Sequence, residues 1–243
     1  MNLIKLNATE STNSYLRGLL RETNLQDHTV VLTKEQTRGR GQMGTQWVSE
    51  PDKNLTFSVY KKLHCLAIDE QFYISMAISI AIYKALSKMG VPNLYIKWPN
   101  DILSLNCKIC GILIESIIKQ DKLVSVIAGV GLNVNQLEFA GLQSVSSLKR
   151  LTGVSYNVEE VLHEIISEFY VVIKLLEDQK LEEIKSTYES LLFRKDKPST
   201  FKDMNGNLFM GFIRRVNNIG KLVIELEDRE EKEFDLKEVK LLY

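Results

Sequence analysis

Long apolar runs are missing from this chain. The longest apolar-rich stretch, Phe72 to Leu86, is broken by serines and Lys84 and is too short to cross a bilayer. The start, Met1-Asn2-Leu3-Ile4-Lys5, has no apolar segment behind a basic head, so it does not read as a secretory signal. A cytoplasmic protein without membrane association is expected. Net charge is missing too: 31 basic residues balance 31 acidic ones. No global field draws in nucleic acid or membrane, and charge-based recognition must be local. Cysteine is scarce. Cys65, Cys107 and Cys110 cannot make a disulfide framework. Cys107-Lys108-Ile109-Cys110 lacks the second pair a zinc site needs, so its cysteines read as small core residues. His28, His64 and His163 lie far apart with no metal spacing. Neither a G-x-x-x-x-G-K-[ST] loop nor a G-x-S-x-G elbow occurs, which excludes a P-loop NTPase and argues against a serine-elbow hydrolase.

What is there suits a globular enzyme-sized protein. The 243 residues, 44% hydrophobic and 26% charged, allow one large domain or a large and a small one. Glycine is concentrated in one place. Gly39, Gly41 and Gly44 sit with Arg38 and Arg40 between the apolar runs Val30 to Thr33 and Leu55 to Tyr60. Glycine costs backbone entropy and packs nothing, so this density needs a local reason. A bent backbone that aims several N–H groups at one point binds anions, and arginine adds planar, bidentate charge. A surface hairpin tip with solvated arginines is the alternative from these residues alone.

The remaining elements follow from periodicity. Ser11-Thr12-Asn13 opens a helix whose face is Tyr15, Leu16, Leu19 and Leu20; small polar residues there can cap it or hold a polar ligand group. Thr29 to Lys34 and Asn54 to Tyr60 read as strands on either side of the glycine loop. Asp69 to Met89 is a long helix stopped by Gly90 and Pro92. Pro99 must break a strand inside Lys97-Trp98-Pro99-Asn100-Asp101, projecting polar groups at a sheet corner. Lys108 to Glu115 and Val124 to Val134 read as central strands, and Gly111, Gly129 and Gly131 within them predict close approach of a ligand or backbone. A short helix is expected over Ser144 to Leu151, a strong one over Asn157 to Leu176, and another over Asp178 to Phe193. Past the polar boundary at Arg194 to Pro198 the pattern turns β-rich, with a hairpin signal at Asn205-Gly206. Residues 1–193 and 194–243 are expected to form two domains, the second a small barrel of SH3-like type.

Gly39-Arg40-Gly41-Gln42-Met43-Gly44 matches the dinucleotide fingerprint in form only. No helix opens at Gly44, and Val59-Tyr60-Lys61-Lys62 stands where the ribose-binding acid should be. Five pieces in order instead resemble the biotin protein ligases. They are Ser11-Thr12-Asn13; Gln36-Thr37-x-Gly39-Arg40-Gly41-x-x-Gly44 with Trp47; Lys97 to Asp101; Lys108-x-x-Gly111-Ile112-Leu113-x-Glu115; and Gly129-x-Gly131-Leu132-Asn133. The likeness runs from near residue 5 to the end, β-rich tail included.

That resemblance implies an α/β (α+β) fold, a mixed sheet like that of class II aminoacyl-tRNA synthetases with flanking helices. It implies activation of biotin with ATP and Mg2+ to biotinyl-5′-AMP, then transfer to one lysine of a biotin carboxyl carrier domain. By the same analogy Ser11, Thr12, Asn13, Gln36, Arg40, Gly41, Gln42, Lys108 and Gly111 bind biotin. Arg38, Gly39, Arg40, Trp47, Asn100, Lys108 and Asn133 bind ATP. Lys108, Arg40 and Asp101 are the catalytic candidates; Asp101 would organise magnesium or take the acceptor lysine's proton. Lys97 is open to a phosphate contact, with a structural ion pair the favoured expectation.

Two features depart from the family pattern. Gln42, Met43 and Thr45 stand where many members carry further loop arginines. The chain also starts almost directly at the catalytic region, without the helix-turn-helix of repressor-type members, so DNA binding is not expected. A homodimer is left open. The rivals are a lipoate or octanoate ligase of the same superfamily and, in another class, a non-enzymatic adaptor using the β-rich tail.

Overall fold

In the computed structural model, residues 2–63 and 66–243 are described. Met1, His64 and Cys65 lie outside them, so the histidine and cysteine readings are followed only at the remaining positions.

The chain runs β1 (Asn2–Thr9), α1 (Thr12–Glu22), β2 (Thr29–Gln36), β3 (Leu55–Lys62), α2 (Phe72–Lys88), β4 (Leu94–Lys97), β5 (Asp101–Ser104), β6 (Cys107–Lys119) and β7 (Lys122–Leu132). Three helices follow, α3 (Leu148–Thr152), α4 (Val158–Glu177) and α5 (Leu181–Ser190). The first seven strands form one mixed sheet in the order β1-β2-β3-β7-β6-β5-β4. β1 runs parallel to β2, and the other neighbours pair antiparallel.

Strand side chains alternate between faces, and this sheet uses its two faces differently. On one face Val30, Leu32, Phe57, Val59, Ile112 and Val130 are buried together with residues of α2 and α4. There α4 buries Val161, Leu162, Ile165, Ile166, Phe169, Val172, Ile173 and Leu176, the stripe its period predicts. Asn157 caps α4, its side chain accepting from the N–H groups of Glu159 and Glu160. A cap of this kind is worth about 1 kcal/mol. The opposite face carries α1, whose Leu16 packs with Val31, Tyr60 and Ile127. That patch is small because the next residues along the same strands are not apolar. Thr56 faces Gly131 and Ser58 faces Gly129 across β3 and β7, while Gly111 faces Gly131 across β6 and β7.

Helix ends differ from expectation for local reasons. Gln179, at φ 57°, breaks the chain between α4 and α5, so the expected helix from Asp178 starts at Leu181. The short helix expected from Ser144 starts at Leu148, because Ser147 is its cap and accepts from Arg150 N at 3.2 Å.

The tail folds as β8 (Pro198–Asp203), β9 (Leu208–Val216), β10 (Leu222–Leu226), β11 (Glu231–Phe234) and β12 (Val239–Leu242). Their sheet order is β11-β10-β9-β8-β12, antiparallel throughout, with a bulge between Val223 and Ile224. Asn205-Gly206 makes the β8–β9 turn, with Gly206 at φ 89°. This second sheet is fastened to the first at the proline corner, where Trp98 Nε1 donates to Gly220 O at 2.9 Å. Gly220 is needed there, since a Cβ would stand 2.4 Å from Phe72 Cγ. No helix among the described residues is long and apolar enough to cross a membrane.

Candidate active site

The small, polar end of the α1 face opens into a cavity of about 250 Å3. Its floor is the glycine stripe of β6 and β7. A Cβ on Gly131 would stand 2.3 Å from Trp47 Cε2, one on Gly129 would stand 2.4 Å from Asn13 Oδ1, and one on Gly111 would lie 3.3 Å from Lys108 Nζ. These glycines clear space for side chains that cross the sheet, where the sequence pointed to a ligand or another backbone.

The start of α1 forms one wall. Ser11 sits at the cap position in extended geometry, yet its hydroxyl caps nothing. Instead Thr12 N donates to Gln36 Oε1 at 2.8 Å, and the Thr12 hydroxyl lies 3.2 Å from the same oxygen. Ser58 Oγ is 2.6 Å from both the Thr12 hydroxyl and Asn13 Oδ1. Asn13 Nδ2 in turn donates to Leu113 O at 3.3 Å and Glu115 Oε2 at 3.2 Å. Ser11, Thr12, Asn13 and Ser58 are all buried, and hydrogen bonds hold the last three side chains against one another.

At the other end stands the ion pair of Lys108 and Asp101, Nζ to Oδ1 at 2.6 Å. The backbone fixes both residues. Lys108 N donates to Ser144 O and Lys108 O accepts from Ser146 N. Asp101 lies opposite Gly111 in the β5–β6 register, and Asn100 next to it gives its side-chain amide to Ile112 O. Lys108 Nζ also lies 6.0 Å from the Trp47 ring, whose Nε1 is buried without a hydrogen-bond partner.

The glycine-arginine loop closes the third side. Gly41 N donates to Thr45 O, Trp47 N donates to Gly39 O, and Met43 stands at φ 52°. A Cβ on Gly39 would meet Trp47 O at 2.2 Å, so glycine is required for this loop to fold on itself. Arg40 reaches Glu115 at 3.1 Å, and Glu115 also meets Arg17 at 3.5 Å.

Of the residues expected at the site, the cavity brings together Ser11, Thr12, Asn13, Gln36, Arg40, Gly41, Gln42, Trp47, Asn100, Asp101, Lys108 and Gly111. Arg38, Gly39 and Asn133 lie elsewhere. Arg38 is exposed, 3.4 Å from Glu10, and shares with Gly39 a neighbouring cleft on the outer side of the loop. Asn133 is buried, its amide donating to Ser146 O at 3.0 Å beneath the Lys108 turn. Lys97 does not make the ion pair expected of it. No carboxylate among the described residues approaches it within ion-pair distance; its Nζ instead sits 4.9 Å over the Tyr243 ring. Burial holds its ammonium below the ordinary lysine value, with Asp101 opposing that shift and Lys108 adding to it. Thr56, Ser58 and Glu115 were missed as site residues. The first two had a legible signal, small polar residues two apart inside the apolar run Leu55 to Tyr60.

No group of three or more His, Cys, Asp or Glu side chains among the described residues could hold a metal ion. Asp101 is a single carboxylate beside a lysine. That suits Mg2+ carried in on nucleotide phosphates, which keeps most of its own waters, and not a resident protein cage.

Comparison with known proteins decides what this arrangement belongs to. The model of the biotin/lipoate A/B protein ligase family matches residues 6–133, just over half of the chain. The chain belongs to that family. It is 27% identical over 229 residues to the bifunctional ligase/repressor BirA of Salmonella typhimurium, a match covering 92% of this chain and 69% of that one. It is 31% identical over 168 residues to the biotin–[acetyl-CoA-carboxylase] ligase of Paracoccus denitrificans, covering 66% of this chain and 68% of the other. Among solved structures, the biotin protein ligase of Aquifex aeolicus in complex with biotin and ATP matches with a TM-score of 0.81 at 25% identity. That match covers 99% of this chain and 98% of the other, so the two-sheet architecture of this family member is shared from end to end.

Proposed function

We propose that this protein is a biotin protein ligase, which activates biotin with MgATP to biotinyl-5′-AMP and transfers the biotinyl group to a lysine of a carboxyl carrier domain. One observation carries the reading. The hydrogen-bonding side chains of Thr12, Asn13 and Gln36 share a single glycine-floored cavity with the Lys108–Asp101 pair. Biotin has the matching ends, a ureido ring that donates and accepts hydrogen bonds and a carboxylate on an apolar chain. A dithiolane ring offers no hydrogen-bond donor, so the polar recess favours biotin over lipoate.

Each residue then has a task. The biotin carboxylate must approach the α-phosphate of ATP, and two anions repel. Lys108 Nζ offsets that repulsion and stabilises charge in the transfer. Arg40, 3.1 Å from Glu115, is drawn to the same anions. Asp101, the carboxylate lining the cavity, would hold a magnesium ion bound to ATP, and that ion would supply positive charge to offset the phosphates. In the second step the acceptor lysine must attack as a neutral amine, and Asp101 is placed to take its proton. Trp47 covers the nucleotide side of the cavity. Asn133 acts by supporting the Lys108 turn, a positioning role in place of direct ATP contact.

The reading is tested by incubating the full chain with ATP, an apo carrier domain and either biotin or lipoate. Biotin-dependent AMP release and a biotinylated carrier lysine are expected, with neither on lipoate. AMP with lipoate alone would assign the other branch of the family. No AMP with either acid would favour the non-enzymatic adaptor.

A further inference from the structure

Glu115 stands on β6 behind the active-site cavity, lining the cleft on the outer side of the glycine-arginine loop. Its side chain is 17% exposed, and its two oxygens have different partners. Oε1 lies 3.1 Å from Arg40 Nη2. Oε2 accepts from Asn13 Nδ2 at 3.2 Å and lies 3.5 Å from Arg17 Nη2. A carboxylate only accepts hydrogen bonds, and so does Leu113 O, the other partner of Asn13 Nδ2. These two acceptors fix which end of the Asn13 amide faces them and leave its Oδ1 to Ser58 Oγ. Ser58 must give its single proton to that oxygen. The Thr12 hydroxyl, 2.6 Å from Ser58 Oγ and 3.2 Å from Gln36 Oε1, then has acceptors on both sides for its own proton. Its oxygen keeps a lone pair for an N–H group of a ligand. Glu115 thus heads an unbroken run of hydrogen bonds into the recess.

The other oxygen acts on the loop. Arg40 stands between Gly39 and Gly41, which bring no side chains to hold it. Glu115 offers it a partner fixed on an interior strand, and a charge-assisted contact carries geometric specificity. We propose that Glu115 is a positioning residue of this site: one oxygen sets the hydrogen-bond polarity of the biotin recess through Asn13, and the other aims Arg40 at the reacting anions. The proposal rests on the ligase reading. Arg17, the third partner, lines neither the cavity nor the cleft, so it reports on any role of Glu115 in merely fastening α1. Arg17 and Arg40 are both well exposed, at 42% and 45%, so removing the carboxylate strands no buried charge.

The test uses the full chain with Glu115→Gln, Glu115→Ala and Arg17→Met, and measures biotin-dependent adenylation against biotin concentration. Glutamine keeps one acceptor oxygen for Asn13 but turns an amide NH2, a donor, toward Arg40. Its kcat should fall roughly tenfold, the size of one hydrogen bond to a charged group, with KM for biotin within about twofold. Alanine also loses the acceptor for Asn13, so its KM for biotin should rise roughly tenfold as well. Arg17→Met should keep both constants within about twofold, as for an exposed ion pair. A loss in Arg17→Met equal to that in Glu115→Gln overturns the proposal, because Glu115 would then only fasten α1. Unchanged constants in both Glu115 variants also overturn it. So does a kcat that rises, which would make Glu115 a competitor for Arg40. If the unaltered chain makes no AMP with biotin, the ligase reading fails separately. Trypsin cleavage after Arg40, followed by mass spectrometry, then still decides whether Glu115 holds the loop. Faster cleavage in Glu115→Gln than in the unaltered chain and Arg17→Met supports it, and equal rates overturn it.

Discussion

Lys108 and Lys61 are alike in outline and differ in what surrounds them. Each is a lysine near the end of a strand gripping an aspartate, Lys108 with Asp101 at 2.6 Å and Lys61 with Asp27 at 2.5 Å. Lys61 has a second carboxylate, Glu177 at 2.8 Å, and its side chain is only 5% exposed. Lys108 has one carboxylate and is 34% exposed, with an open cavity beyond its ammonium. Lys61 meets two carboxylates within the protein, whereas Lys108 meets one and borders the open cavity. An ion pair by itself therefore says little about function. The unfilled coordination around the cation, and space beside it, separate a working lysine from a fastening one.

The largest expected effect breaks this comparison most simply. Lys108→Ala should lose biotin-dependent adenylate formation by roughly a hundredfold or more, the size seen when one preorganised electrostatic contact is removed. It should melt close to the unaltered protein, and adenylation that survives in this variant would remove the central catalytic assignment. Lys61→Met should do the reverse. Leaving Asp27 and Glu177 unpaired should cost on the order of 2 kcal/mol, below the range for fully buried pairs because both carboxylates are partly exposed. Activity per folded molecule should be kept. Denaturant titration and specific activity on the same samples separate the two outcomes.

Smaller effects sharpen the picture. Gln42→Arg adds charge to the side of the cavity that lacks it, so release of biotinyl-5′-AMP should slow by about five- to tenfold. An unchanged rate of release, followed in stopped flow, would mean that Gln42 does not face the adenylate. The smallest effect lies around Lys61. Burial holds His28 below the ordinary histidine value of 6.5, with Asp27 and Glu177 opposing and Lys61 reinforcing. For a base whose folded value is lowered, the unfolded chain binds the proton first as pH falls. Stability from this group is thus complete above about 6.5 and declines as pH drops below it. His28→Asn should flatten that decline in melting temperature between about pH 7.5 and 5.5, with no change at the upper end.

Much of the fold was legible because period and punctuation agreed. The α4 stripe, the Asn157 cap and the strands around the glycine loop needed no tertiary information. The glycines at 111, 129 and 131 gave the site's floor in advance, since only a close neighbour explains glycine inside a central strand. Other features depend on contacts distant in sequence. Asn133 looked like a ligand residue by its place in a motif, yet its amide meets a carbonyl thirteen positions on. Lys97 looked like one half of an ion pair, and its neighbour is an aromatic ring 146 positions away. Glu115 closed a motif without a role, and only folding brings Arg17 and Arg40 to it. Helix limits moved where one residue, Gln179, adopts a left-handed backbone that composition does not announce.

On the proposed reading, the glycine-floored cavity activates biotin through Lys108. Exchange of labelled pyrophosphate into ATP, measured on the full chain with biotin, with lipoate and with neither, tests it most directly. Exchange should appear with biotin alone and vanish in Lys108→Ala. Equal exchange with lipoate, or exchange that persists without Lys108, would contradict it.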